Sequence, residues 1–151
     1  MNLGEVTVSW KDPLSPNQER RIQQAVVRAA ALVNQRARVL CSVPAVRETR
    51  RRTRDTSTRG GGPVGSSYTV YRPSPPGSPP ALRTGVGRSA ITWWLESPYV
   101  AKVGLRGGKT AEYMKFHETG TRRMPPRPWL ARALKEAEAA VKLLLNEALK
   151  L

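Results

Sequence analysis

From Pro16 to Leu40 an apolar residue returns every three or four positions: Ile22, Val26, Ala29, Val33, Ala37 and Leu40. That period is helical, and it draws one apolar stripe along about seven turns. The start is marked too: Ser15 can cap, Pro16 takes the first helical position, and Gln18 completes a capping box. Arg20, Arg21, Arg28, Arg36 and Arg38 fall largely off the stripe. A second stripe runs from Trp129 to about Lys150 through Leu130, Leu134, Ala137, Val141, Leu144 and Ala148, widened by Leu145 and Leu149. Two long helices, each with one face to bury, must pack on one another or on a shared sheet. This restricts what the rest of the chain can do.

Strand patterns are short. Residues 4–10 (GEVTVSW) alternate, with Val6, Val8 and Trp10 on one side. Residues 90–95 (AITWWL) and 99–105 (YVAKVGL) read as two strands joined by a tight turn at Glu96-Ser97-Pro98. Residues 107–120 read as a short helix closed by Gly120, and 122–128 (RRMPPRP) as extended chain. The stretch 47–62 differs: six Arg stand against one Glu and one Asp, with no apolar residue. Having no face to bury, it is expected to be mobile in the free subunit. More than half of the glycines and prolines lie in residues 60–87; SYTVYR (67–72) reads as a strand there, and PSPPGSPP (73–80) as a polyproline-like connector. The expectation is a single α+β domain over residues 1–151. Two long helices pack on a small antiparallel sheet, and a long basic, Pro/Gly-rich arm spans about 47–80.

Composition narrows the function. Lys and Arg number 26 against 11 acids, a net charge of +15, and nineteen of the basic residues are Arg. This favours polyanionic partners: nucleic acid, anionic lipid or an acidic protein surface. No run of 18 apolar residues exists, which excludes a transmembrane helix. The N-terminus has no basic region followed by an apolar run, so no signal peptide is expected. One cysteine, Cys41, and one histidine, His117, allow no intrachain disulfide. They make no zinc site without carboxylates or a second subunit. No cofactor and no metal are expected, and the inventory counts against an enzyme. The nine aromatics lack the spacing of a base-stacking sheet.

GLRGGKT (104–110) resembles a phosphate-binding loop, but Val103 stands where the first Gly is required, and Gly104 leaves too short a gap. A strand-to-helix turn is the plainer reading. His117 and Glu118 are adjacent, so on a helix they point about 100° apart and do not form an acid–base pair. Cys41 follows an apolar helix end and reads as a small buried hydrophobe. Trp93 and Trp94 sit on opposite faces of their strand; one joins the core, while the other is covered either by the long helices or by another subunit. Arg47, Arg50, Arg51, Arg52, Arg54 and Arg59 suit a solvated loop, an acidic partner protein or nucleic acid. No helical pattern sets them in a groove. Glu118, in the last turn of its helix, opposes the dipole and calls for a cation, with Arg122, Arg123 and Arg127 near in sequence.

YMKFHETGTRRMPPRPWLARAL (113–134) is the most specific string. It resembles the core motif of the tail-component family of long-tailed bacteriophages, which includes tail-completion and head–tail joining proteins. Tyr113, Phe116, Glu118, Gly120, Thr121, Met124, Pro125, Arg127, Pro128, Trp129, Ala133 and Leu134 fit the family's pattern position by position. Upstream, LRTGVGRSAI (82–91) matches at Thr84, Gly85, Arg88, Ser89 and Ile91. The chain departs at Gly87, where the family has Leu, at Met114, where Ala is common, and in the long arm at 47–80. The resemblance implies a non-enzymatic virion protein, made in the host bacterial cytoplasm. It implies a homo-oligomer, a six-fold ring at the neck, that completes the tail and joins it to the head. Its partners would be the head connector or stopper protein and the tail tube or tail terminator protein, with non-specific contact to genomic DNA in the lumen and none to membrane. Interface residues expected on this basis are Trp94, Glu118, Gly120, Thr121, Arg122, Arg123, Arg127 and Trp129, with the six arm arginines contacting a partner or DNA. The alternative is a small basic nucleic-acid-binding protein.

Overall fold

Helix α1 (Pro16–Leu40) begins at its capping box: the Gln18 amide donates to Ser15 Oγ at 3.4 Å, and the Ser15 amide donates to Gln18 Oε1 at 2.9 Å. The computed structural model describes residues 5–7, 14–54 and 64–150. The expected stripe is buried through Ile22, Val26, Ala29, Val33 and Ala37, with Ala25 and Ala30 beside it. Helix α4 (Leu130–Leu149) buries Leu130, Ala133, Ala137 and Val141 against the same core. The two run antiparallel: Arg21 reaches the Glu147 carbonyl at 3.0 Å at one end, and Arg36 meets Glu136 at 2.6 Å toward the other. Small residues on both faces (Ala29, Ala37, Ala133, Ala137) let the backbones approach closely. No helix among the described residues is long and apolar enough to cross a membrane.

The helices lie on a three-stranded antiparallel sheet ordered β1 (Glu5–Thr7), β5 (Val100–Leu105), β4 (Ile91–Ser97). The expected first strand is thus present at 5–7, while Val8 and Trp10 lie outside the described residues. Trp93 pairs with Val103 and Trp94 with Lys102, so the two indoles take opposite faces. Trp93 packs against the core with Ile91, Ala101 and Val103. Helix α2 (Val86–Ala90) precedes β4, and helix α3 (Gly108–Thr119) follows β5. The fold class is the expected α+β, with both long helices packed together and on small antiparallel sheets.

The arm is the main correction. Residues 47–54, expected to be mobile, form strand β2 (Val46–Arg54), which pairs antiparallel with β3 (Val64–Arg72). Backbone pairing asks for a partner strand in register, not for an apolar face. Here β3 supplies Thr69, Val70 and Tyr71, residues that favour strands. No Arg faces another Arg across the ladder: Arg47 opposes Tyr71, Arg50 opposes Tyr68, Arg51 opposes Ser67 and Arg52 opposes Ser66. Cross-strand contacts stiffen the root, where Arg47 lies 5.9 Å over the Tyr71 ring and Arg72 meets Glu48 at 2.9 Å. Arg59 lies outside the described residues. The proline stretch 73–80 is neither helix nor strand, as expected, but it is not extended throughout: it turns at Gly77, at φ 76°, where the Ser78 amide donates to the Pro75 carbonyl at 3.1 Å. It is tied down: the Gly77 amide donates to the Pro126 carbonyl at 3.0 Å, and Pro80 is buried.

Gly87 and Met114 meet where α2 packs against α3. A Cβ at Gly87 would lie 2.6 Å from Met114 Sδ. The small residue on one helix therefore admits the large one on the other. We expect Gly87→Leu to overpack the contact, costing about 1–3 kcal/mol, and Met114→Ala to leave a cavity, costing about 2–5 kcal/mol. The double variant should recover much of the loss. Urea titrations of all four chains measure the coupling; strictly additive losses would mean the two positions are independent.

Candidate functional site

Helix α4 starts at Trp129, which offers no side-chain cap, so its first amides need acceptors from elsewhere. Glu118 supplies them from the last turn of α3. Its Oε2 accepts from the Trp129 amide at 2.8 Å and the Leu130 amide at 3.0 Å, and its Oε1 from the Ala131 amide at 2.9 Å. The expectation of an arginine partner for Glu118 is therefore corrected. The positive end of α4 balances the carboxylate, and no arginine among the described residues pairs with it. A helix lacking its own cap and a stray acid eleven residues earlier were the sequence signal, but joining them requires the tertiary fold.

Between those helix ends the chain makes a tight strap. Gly120 sits at φ 75°, and a Cβ there would come within 3.0 Å of the Pro126 nitrogen and 3.1 Å of the Met124 carbonyl. Glycine is required both by conformation and by space. Thr121 and Met124 exchange backbone hydrogen bonds at 2.8 and 3.2 Å, and Thr121 Oγ1 accepts from the Arg123 and Met124 amides. Arg122 and Arg123 occupy the exposed tip of this turn. The Arg127 amide then donates to the His117 carbonyl at 2.6 Å, closing the strap on α3.

The expected interface residues divide accordingly. Thr121, Arg122 and Arg123 are exposed, and Gly120 is half-buried. Glu118, Arg127 and Trp129 are buried within the subunit, so their side chains are not surface contacts in it. Trp129 is 2% exposed and donates its indole N–H to the Met114 carbonyl at 3.3 Å. Arg127 is 8% exposed and donates from Nε to the Ser74 carbonyl at 3.0 Å. Trp94 is half-buried beneath Arg106, whose guanidinium lies 5.9 Å over the ring. It borders a groove of about 230 Å³ shared with Leu105, Ala111, Lys115 and Trp129. The arm arginines Arg47, Arg50 and Arg51 are exposed on the ribbon, and Arg52 and Arg54 extend the same strand.

His117 and Glu118 do not act as a pair. The carboxylate serves α4, while the imidazole stands edge-on to Tyr113, with ring centroids 4.6 Å apart. Burial, and then the positive charge of Arg127, hold the imidazole below its ordinary pKa. Burial also pushes the Cys41 thiol up to about 12, aided by the Glu118 charge, so it stays protonated at neutral pH and is no nucleophile. Among the described residues no three His, Cys, Asp or Glu side chains gather to hold a metal. Compared with protein-family models, curated proteins and solved structures, the chain finds no match.

Glu118→Ala should strand three amides and cost about 2–4 kcal/mol. The midpoint of thermal unfolding should fall by roughly 5–15 °C; a melt unchanged within about 2 °C would show that the cap is dispensable. The pH dependence carries a second expectation. Because folding depresses the His117 pKa, the unfolded chain binds the extra proton below the ordinary imidazole value of 6.5, so stability falls as pH drops from there toward 5. Melting between pH 7.5 and 5 should show this slope, and His117→Phe should flatten it.

Proposed function

We propose that the chain is a structural subunit of a bacteriophage virion, forming a six-fold ring at the neck that completes the tail and joins it to the head. The observation that carries this reading is the β2–β3 ribbon. From Thr49 to Arg51, and from Gly65 to Thr69, each residue is exposed, and nine paired residues extend about 30 Å. A two-stranded ribbon with no covered face is marginal alone in water. In a ring it has a neighbouring subunit or the next tier to lie on. The motif at 113–134 supports the same reading, as does the Gly87–Met114 contact, in which two departures from the family pattern offset each other in volume.

Assembly then works by docking a preformed arm. The paired backbone of β2 and β3 has already lost much of its conformational freedom on folding, so docking adds mainly the settling of Arg side chains. Those side chains suit an acidic face on the head connector or stopper protein, or on the tail tube or terminator. The exposed Arg122–Arg123 turn offers a second basic contact. No catalytic step is assigned.

One observation favours nucleic acid instead: a two-stranded Arg-rich ribbon has the dimensions that the major groove of DNA admits. The readings separate cleanly. Native mass spectrometry and negative-stain microscopy of the full chain, alone and with the adjacent virion proteins, should give a closed ring. Shortening the 46–72 ribbon to a tight turn should leave folding intact by circular dichroism and reduce the yield of joined particles at least several-fold. A lasting monomer that joins no assembly, yet binds duplex DNA tightly with a steep salt slope, would overturn the ring reading.

A further inference from the structure

A pocket of about 420 Å³ lies between the strap, the root of the ribbon and α3. Arg127 and His117 line it, at 8% and 7% exposure. Among the described residues no carboxylate lies within ion-pair reach of Arg127, and its side chain makes one hydrogen bond, from Nε to the Ser74 carbonyl. A guanidinium does not shed its proton in a protein. The two remaining nitrogens of Arg127 have no protein partner among the described residues and are not among the fully buried atoms, so they stay open to an anion. His117 Nδ1 and Ser74 Oγ are also buried without a hydrogen-bond partner. Three under-satisfied polar groups thus belong to residues lining one space.

The rest of the lining agrees. Arg83 and Arg88 stand exposed on the wall. Arg83 lies 4.7 Å over the Tyr71 ring, and Arg88 reaches only the Ser42 hydroxyl, at 3.3 Å. Among the described residues no Asp or Glu lines the pocket. The nearby acids are committed elsewhere, Glu48 to Arg72 and Glu118 to α4. Tyr71, Leu82 and Met114 add apolar wall, and the volume far exceeds that of a bare ion.

We propose that this pocket binds an organic oxyanion, a carboxylate or phosphate head on a small, partly apolar body. Arg127 is the buried counter-charge, Arg83 and Arg88 hold the head from the wall, and His117 Nδ1 and Ser74 Oγ take the remaining hydrogen bonds. The depth of Arg127 favours a head carried on a slender stem over the backbone of a duplex. The inference rests on the pocket alone and does not depend on the virion reading.

His117 is the single histidine of the chain, so its imidazole proton signals need no assignment. The full-length protein is titrated at constant ionic strength with glutarate, adenosine monophosphate, inorganic phosphate and chloride, following those signals by NMR. A saturable shift with glutarate identifies the carboxylate source, and one with the monophosphate or phosphate identifies the phosphate source; either supports the site. The Arg83→Gln/Arg88→Gln double variant alters exposed residues only and should fold. It should weaken binding by roughly tenfold or more, the loss expected on removing charge-assisted hydrogen bonds. Arg127→Gln should abolish binding where it folds. Non-saturating shifts, shifts equal to those of chloride, or an affinity unchanged in the double variant would overturn the proposal.

Discussion

Where α3 ends and α4 begins, two helix termini of opposite partial charge lie on either side of one carboxylate, that of Glu118. At the end of α3 the acid is misplaced; at the start of α4 it is well placed, and the three amides it accepts decide the balance. Much follows from this position. It fixes where α4 starts, and so how Leu130, Ala133 and Ala137 meet α1. It also fixes the span the strap must cover, which explains the left-handed φ at Gly120 and the buried course of Arg127. The Trp129 indole, bonded to Met114, locks the same junction from the apolar side.

What the sequence made legible was what periodicity encodes. Both long helices, the cap at Ser15, the β4–β5 hairpin and the short helix before Gly120 follow from spacing and local chemistry, although the hairpin turns at Pro98-Tyr99, with Glu96 and Ser97 still in β4, rather than at Glu96-Ser97-Pro98. Of the ribbon, the strand at 67–72 was legible and lies within β3, whereas β2 was not, because its stability comes from cross-strand register and from pairs such as Arg47 with Tyr71, which a one-dimensional reading does not contain. The roles of Glu118 and Arg127 were hidden for a related reason. A charged residue reads as surface until the fold supplies a buried acceptor or donor for it, and here these come from residues 11 and 53 positions away.

Charge is distributed unevenly over the molecule. On α4 acids and bases are matched in number: Glu136 takes Arg132 and, from α1, Arg36, and Glu138 takes Lys142, with both carboxyls held below their usual range by those hydrogen bonds. These pairs are exposed and contribute little each. On the ribbon, Glu48 is the single acid among the described residues, and it serves Arg72 and Arg50. Helix α1 carries five arginines against the single acid Glu19, so the excess positive charge lies on α1 as well as on the arm and the strap turn, while α4 alone is balanced.

The proline connector touches both ends of this arrangement. Its first half continues the backbone of β3, yet its Ser74 carbonyl holds Arg127, and its Gly77 amide is held by Pro126. The connector is no straight polyproline rod: it turns at Gly77, where φ is 76° and the Ser78 amide donates to the Pro75 carbonyl at 3.1 Å. The root of the ribbon and the origin of the last helix thus share one set of ties, so a substitution that loosens the backbone at Ser74 or Gly77 touches both ends at once.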